Sequence, residues 1–374
     1  MGWSSIIGQT RAREILQRSI DQERIAHAYL LWGPRGVGKD ALALEFARTL
    51  LCEQQGIEAC NQCPSCKKMQ ILQHPNLRLV FALPGGKTEK GSDNGEGKVQ
   101  SEIREEIRVQ IDQKAKNPYF HIEIPKATQI NIGSIREVKK ESSLSAYEKG
   151  KKVFIICDAE MMNDASANSL LKVLEEPLSD TIFLLTTSRK DKLLPTIVSR
   201  CQSVRCEILQ EGEIEEALRS RENIPADHAR LISRLSGGDY SYALELLSDD
   251  VVAKRAEAVS FLRAVLGGRA GKLLDEIEER VGENDRGSVE QFLLLLLVWI
   301  RDALILKERG KTGIINQDQY EDLNRFVTRF GNANFPATIA AVERALELLR
   351  GNVYLPLVML SLSIQLKRLL LNDG

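Results

Sequence analysis

Hydrophobic and polar positions follow two rhythms in this chain, and the change comes near residue 208. Before it, short apolar blocks of strand length alternate with stretches of helical period. Ala28–Trp32, Val153–Cys157 and Thr181–Thr187 are nearly continuous apolar runs that end at Gly33, Asp158 and Ser188. That is the signature of strands buried on both faces. Ser203–Ile208 predicts a fourth. Residues 3–25 read as an amphipathic helical lead-in with Ile6, Ile7, Ala12, Ile15, Leu16 and Ile20 on one face. A second helix takes Ala41, Leu42, Leu44, Phe46 and Ala47 inward and runs to about Leu51. Ile132–Ser145 is a third, and Ala165–Glu176, stopped by Pro177, a fourth. Buried strands alternating with helices predict a parallel sheet covered on both faces. Ligands of such sheets sit at the carboxyl ends of the strands, where Gly33–Asp40, Asp158 and Thr186/Thr187 would converge. From Gln210 to Leu371 the period is helical throughout, broken at Gly237–Gly238, Gly267–Gly268, Gly282–Gly287, Gly310–Gly313, Gly331–Pro336 and Gly351–Asn352.

Two stretches escape both rhythms. Cys52 to Cys66 is loop-like, and Pro84 to about Pro118 turns glycine-rich and then mixed in charge. The second is expected to be a flexible insertion, helical at most over Ser101–Lys114, and carries no evident chemistry. At 374 residues the chain exceeds a single core, so two or three domains are expected. A net charge of −1 excludes a basic nucleic-acid coat, so any contact with nucleic acid is local or shared with partners. The longest apolar run, Phe292–Ile300, falls far short of the ~20 residues that span a bilayer. No secretory pattern opens the chain, and four of its seven cysteines cluster, which together predict a reducing cytoplasm and a metal rather than disulfides.

Gly33-Pro34-Arg35-Gly36-Val37-Gly38-Lys39 matches the phosphate-loop pattern G-x-x-x-x-G-K, between a strand and a helix as the motif requires. Its backbone N–H groups and the helix N-terminus suit an anion, and Lys39 suits the outer phosphates. Position 40 should supply a hydroxyl for magnesium and holds Asp40 instead. A carboxylate ~4 Å from phosphate costs about 4 kcal/mol at a near-surface dielectric unless a metal lies between them. A hydrolase also needs an acid pair after the second strand, one carboxylate for the metal and one to activate water. Here the strand ends Asp158-Ala159-Glu160, with a methyl at the base position and Glu160 expected on the opposite face of an extended segment. Bound ATP or ADP without hydrolysis and an empty loop are both compatible with these residues.

Cys52-x7-Cys60-x2-Cys63-x2-Cys66 has the spacing of a closed four-thiolate zinc site, which would be structural. An iron–sulfur cluster uses similar spacings. Arg200, in Ser199-Arg200-Cys201, is by spacing alone either an ordinary surface arginine or one that reaches a neighbouring subunit's γ-phosphate.

In order along the chain, Ile7-Gly8-Gln9, the glycine loop, the four cysteines, His74-Pro75-Asn76, Lys152–Asp158, Asn168-Ser-Leu-Leu-Lys-Val-Leu-Glu-Glu-Pro177 and Ser199-Arg200-Cys201 resemble bacterial clamp-loader subunits, AAA+ proteins of the DNA polymerase III holoenzyme. The likeness is strong over residues 5–208 and weaker beyond, where Asn352-Val-Tyr-Leu-Pro-Leu resembles the entry to the last helix of the family. Lacking both G-K-T and Asp-Glu, the chain is more similar to the delta-prime branch than to the tau/gamma ATPases, which are the alternative. Ser241 stands where active relatives sense the γ-phosphate with arginine. The resemblance implies an α/β AAA+ domain over 1–207, with a RecA-like parallel sheet and a small zinc module at 52–66. A three-helix lid over 208–250 and an all-α collar over 251–374 would follow. It also implies zinc on Cys52, Cys60, Cys63 and Cys66, and Arg200 as an arginine finger acting in trans. Gly33, Gly36, Gly38, Lys39, Asp40, Asp158 and Thr187 would line a nucleotide site holding ATP or ADP without hydrolysing it. The implied partners are the tau/gamma and delta subunits in a hetero-pentameric ring, the sliding clamp, and primed DNA reached through the assembly. Two departures stand out: the first cysteine spacing is one residue shorter than the usual x8, and Lys39 is retained where many of this branch lack it.

Overall fold

The computed structural model describes residues 2–84, 96–144, 146–148, 150–175, 180–248, 251–267, 270–282, 286–351 and 353–371. The chain divides into two compact units, Met1–Ile224 with Gly238–Tyr242, and Pro225–Gly237 with Ala243–Gly374.

The first unit runs α1 (Thr10–Asp21), β1 (Ala28–Trp32), α2 (Lys39–Leu51), α3 (Pro64–Gln70), β2 (Leu77–Val80), β3 (Leu83–Pro84), α4 (Glu96–Lys116) and β4 (Ala127–Gln129). It continues through α5 (Ile132–Ser143), β5 (Lys152–Ile156), α6 (Asp164–Glu175), β6 (Thr181–Thr187), α7 (Pro195–Arg200), β7 (Gln202–Arg205) and α8 (Glu211–Arg221). Five strands form one sheet in the order β2-β5-β6-β1-β7, every pairing parallel. The order puts β1, which feeds the glycine loop, beside β6, with Leu31 opposite Thr186 and Trp32 opposite Thr187. Strand β5 lies on the other side of β6. All residues of β5 and β6 are buried, as expected of central strands covered on both faces. Phe154 stacks on Phe183 on one face, 5.3 Å between centroids. Tyr29 meets Phe46 of α2 edge-on at 5.1 Å. This is the parallel α/β core that the sequence implied.

Several local readings need correction. The lead-in is not one helix: a short turn at Trp3–Ser5 and left-handed Gly8 and Gln9 break the chain before α1. The cysteine stretch contains α3, started by Pro64 at its first position. Strand β2 was not expected, because four residues at the sheet edge, with Arg78 exposed between apolar neighbours, carry little apolar signal. The fourth predicted strand is shorter, ending at Arg205. The segment read as a flexible insertion contains a helix of 21 residues, longer than 101–114. Its glycine-rich part at 85–95, the stop at Pro177, and Gly268 and Asn352 lie outside the described residues.

After α8 the elements described are helical: α9 (Ala226–Leu235), α10 (Tyr240–Ser248), α11 (Val251–Leu266), α12 (Ala270–Val281), α13 (Arg286–Arg309), α14 (Tyr320–Arg329), α15 (Phe335–Arg350) and α16 (Leu355–Leu371). In the second unit α13 is the central helix, packed by α11, α14 and α15. Phe261, Phe292, Leu296, Trp299 and Phe335 are among its buried residues. Its sharpest polar feature is Asp302, fully buried, which accepts from the backbone N–H of Ile315 at 2.9 Å and of Asn316 at 2.7 Å. Among the described residues no helix is long and apolar enough to cross a membrane.

Candidate functional site: the glycine loop and the cysteine cluster

The glycine loop leaves β1 at the carboxyl edge of the sheet and enters α2 at Gly38, whose φ of +94° a side chain would strain. Gly36, also left-handed, has the Asp239 carboxylate against its Cα, where a Cβ would lie 1.5 Å from Asp239 Oδ1. Lys39 does not face outward. It is buried, and its ammonium donates to the carbonyls of Gly33 at 3.1 Å and Pro34 at 2.5 Å, so it closes on the loop that carries it. Burial lowers its pKa, opposed by the charge of Asp40.

Asp40 is held on both oxygens. Oδ2 accepts from Lys114 Nζ at 2.6 Å and Oδ1 from Thr186 Oγ1 at 2.8 Å. Lys114 is 2% exposed and also donates to the Phe120 carbonyl at 2.6 Å. Burial alone would raise Asp40, yet the Lys114 charge and the two hydrogen bonds prevail and hold its carboxyl at about 2. This has a stability consequence. A carboxyl depressed from 3.8 to about 2 contributes stability that is complete above pH 3.8 and is lost as pH falls through 2, about 2 kcal/mol in all. Lys114→Met removes that contribution and strands the carboxylate, so a loss of about 3 kcal/mol is expected near neutral pH. Urea denaturation checks it, and an unchanged midpoint would contradict the pairing.

Asp158, at the end of β5, takes a left-handed conformation with φ +48°. Its Oδ2 lies 3.7 Å from His121 Nδ1. Burial raises its pKa and the charge of Asp40 adds to the rise. Glu160 departs from expectation: the chain after Asp158 turns into a 3-10 helix, Ala159–Met161, instead of extending. Glu160 Oε1 then accepts from the Ser188 N–H at 2.9 Å and its hydroxyl at 2.6 Å, which keeps the carboxylate engaged in structure. The buried methyl of Ala159 occupies the intervening position. Thr187 accepts from the Arg189 N–H at 3.1 Å, and Thr186 is the hydroxyl that meets Asp40. Gly33 packs on the Cys206 carbonyl.

Lys114, Tyr119, His121 and Asp239 were missed from the sequence. For Lys114 a signal existed: Ile103, Ile107, Gln110 and Lys114 recur at helical spacing, which puts a lysine on the inward face of α4.

Arg200 ends α7. Its guanidinium donates to Glu175 Oε1 at 2.7 Å and to the Thr196 carbonyl at 3.0 Å, with a third of the side chain exposed.

The four cysteine sulfurs lie within 4.8 Å of one another. Cys52 to Cys63 is 4.0 Å and Cys60 to Cys66 is 3.9 Å. Four ligands at about 2.3 Å in a tetrahedron have edges of about 3.8 Å, so the donor set fits one metal ion. Backbone N–H groups of Cys60, Cys63 and Cys66 each point at the sulfur of the preceding cysteine, at 3.3–3.4 Å. The N–H groups of Gln62 and Cys63 pull the Cys60 thiol down to about 6, while burial pushes Cys52 and Cys66 up. His74 ties this module to the sheet. Its Nδ1 accepts from the Asn76 N–H at 3.1 Å, so the proton sits on Nε2 and is directed at Ser65 Oγ, 2.8 Å away. The Ser65 hydroxyl passes on to the Leu51 carbonyl.

A family model described as "DNA polymerase III, delta subunit" matches residues 8–210, more than half of the chain. The chain belongs to the DNA polymerase III delta-prime family. The delta-prime subunit of Bacillus subtilis is 29% identical over 92% of both chains. That of Pseudomonas aeruginosa is 31% identical over 64% of this chain and 62% of its own. Similarity extends to the gamma/tau subunit of Mycobacterium tuberculosis, 26% identical over 93% of this chain and 58% of that one. The family-model match spans the glycine loop, the cysteine module and Arg200 together.

Proposed function

We propose that the chain is a non-hydrolysing, delta-prime-type subunit of the DNA polymerase III clamp loader. It acts in the cytoplasm as a stator in a hetero-pentameric ring with tau/gamma and delta subunits, which loads the sliding clamp on primed DNA. Arg200 serves as an arginine finger for a neighbouring ATPase subunit, and zinc on Cys52, Cys60, Cys63 and Cys66 holds the module together. A closed set of four thiolates leaves a metal no open position, so its contribution is to folding rather than chemistry.

The observation that carries the reading is the state of Asp40. At the place where a hydroxyl would take magnesium, a carboxylate is already neutralised by Lys114 and hydrogen-bonded by Thr186. Lys39 on its own loop carbonyls and Ala159 at the base position point the same way. A nucleotide, if held, would meet Gly33, Gly36, Gly38 and Lys39 without the means to be cleaved.

Phosphate release by the isolated chain tests it. The wild-type chain and Lys39→Ala are expected to release phosphate at the same background rate. Turnover in the wild type that Lys39→Ala abolishes would favour the tau/gamma type of subunit instead.

A further inference from the structure

Residues 114–121 begin inside the 84–118 stretch read from sequence as carrying no chemistry, run past its end, and reach three groups at and beside the glycine loop. Lys114 reaches Asp40 at 2.6 Å. Tyr119 packs against Gly38, close enough that a Cβ there would sit 2.7 Å from its ring. His121 reaches Asp158 at 3.7 Å. The segment is pinned at its back as well: Tyr119 accepts from the Ile7 N–H through its hydroxyl at 2.7 Å and from the Ser241 hydroxyl through its carbonyl at 2.8 Å. Tyr240 meets its ring edge-on at 4.9 Å.

Positions 40 and 158 are the two from which a phosphate-loop protein holds magnesium, one after the loop lysine and one at the end of the neighbouring strand. Both carry carboxylates here, and each carboxylate faces a nitrogen from the same eight-residue stretch. The Thr186 hydroxyl joins them, donating to Asp40 Oδ1 at 2.8 Å and accepting from the Asp158 N–H at 3.3 Å, and the charge of Asp40 adds to the rise that burial causes in the Asp158 pKa. Without a counter-ion such a pair recruits a hard divalent cation, which prefers carboxylate oxygens.

We infer that residues 114–121 are a built-in stopper, in which Lys114 supplies the positive charge a divalent ion would bring and the His121 ring stands over Asp158, so the Asp40–Asp158 pair binds such an ion only when the stopper is removed. The stopper deepens the proposed function by giving a physical reason for the silent loop, and its test is separable from that of hydrolysis.

Manganese alone is the probe, followed by loss of the free-ion electron paramagnetic resonance signal on titration into the full chain. Thiolates are poor ligands for it, so the cysteine module does not interfere. The wild-type chain is expected to leave the signal unchanged. Lys114→Ala/His121→Ala is expected to gain at least tenfold in affinity, and adding Asp40→Asn should cancel the gain. Affinity equal in wild type and double variant, or a gain indifferent to Asp40→Asn, overturns the inference. Should the double variant fail to fold, His121→Ala alone decides. That ring is a third exposed, so its loss leaves the packing intact, and a severalfold gain is expected from freeing Asp158. No gain in the folded single variant sinks the inference. Phosphate release by the double variant stays at background in either case, because Ala159 still stands at the base position. Hydrolysis by the wild type would sink the proposed function while leaving the manganese result to be judged by itself.

Discussion

Arg200→Ala is expected to lower the ATPase rate of a reconstituted clamp-loader assembly on the order of a thousandfold at the one seam it serves, with the isolated chain unaffected. A guanidinium delivered across a subunit boundary stabilises charge that develops on the transferring phosphoryl group, and such fingers contribute about 10³ or more to kcat. Because the charge develops in the transition state, kcat should fall while KM for ATP moves little. Arg200→Lys should not restore the rate, since an ammonium lacks the planar fork. In the free chain the group is parked on Glu175 and on the Thr196 carbonyl. Glu175→Gln removes the charge from the first of these contacts and weakens it, so the rate should hold or rise in that variant. The measurement is single-seam turnover in an assembly whose native mass shows every subunit present. Full activity with Arg200→Ala in an intact ring would remove the residue from the mechanism.

The second large effect concerns the cysteine module. Cys66 is fully buried, and the sulfurs of all four cysteines already lie within 4.8 Å of one another. Metal binding to such sites carries apparent free energies of about 10–16 kcal/mol in small peptides, where it is also folding free energy. In this chain part of the ordering comes from Ser65, His74 and the end of α2. Cys66→Ser is therefore expected to remove one equivalent of zinc and at least about 3 kcal/mol of stability. For a domain of this size that is a fall in Tm of roughly 6–12 °C. Metal content and thermal melting on the same sample check both parts. Cobalt substitution adds a charge-transfer band that reports thiolate ligation. A chain that purifies without zinc and melts unchanged as Cys66→Ser would end the assignment.

The buried strands and the loop between β1 and α2 were plain in the sequence, because central parallel strands must be apolar on both faces and the loop pattern is dense. Strand β2 was hidden by its edge position, where one face needs no apolar residue. The chemistry around Asp40 was only half legible. A carboxylate in place of a hydroxyl could be read at once, whereas its partner lies 74 positions away on a helix that follows a glycine-rich stretch. Long-range pairing of that kind has no local pattern; only the inward register of Lys114 on α4 hinted at it. Glu160 failed for a different reason. The expected extended geometry depended on ordinary backbone angles, and Asp158 adopts a left-handed one. Asp239 reaches Gly36 from a turn that lies about 200 positions further on and carries no motif of its own.

The ion pair on Asp40 also ties position 40 to a residue 74 positions away. Installing the missing threonine by itself would leave the Lys114 ammonium walled in with only the Phe120 carbonyl for company. Asp40→Thr alone is thus expected to be less stable than the wild type, and a tolerated exchange must change Lys114 with it. Position 40 is in that sense locked to position 114 by packing.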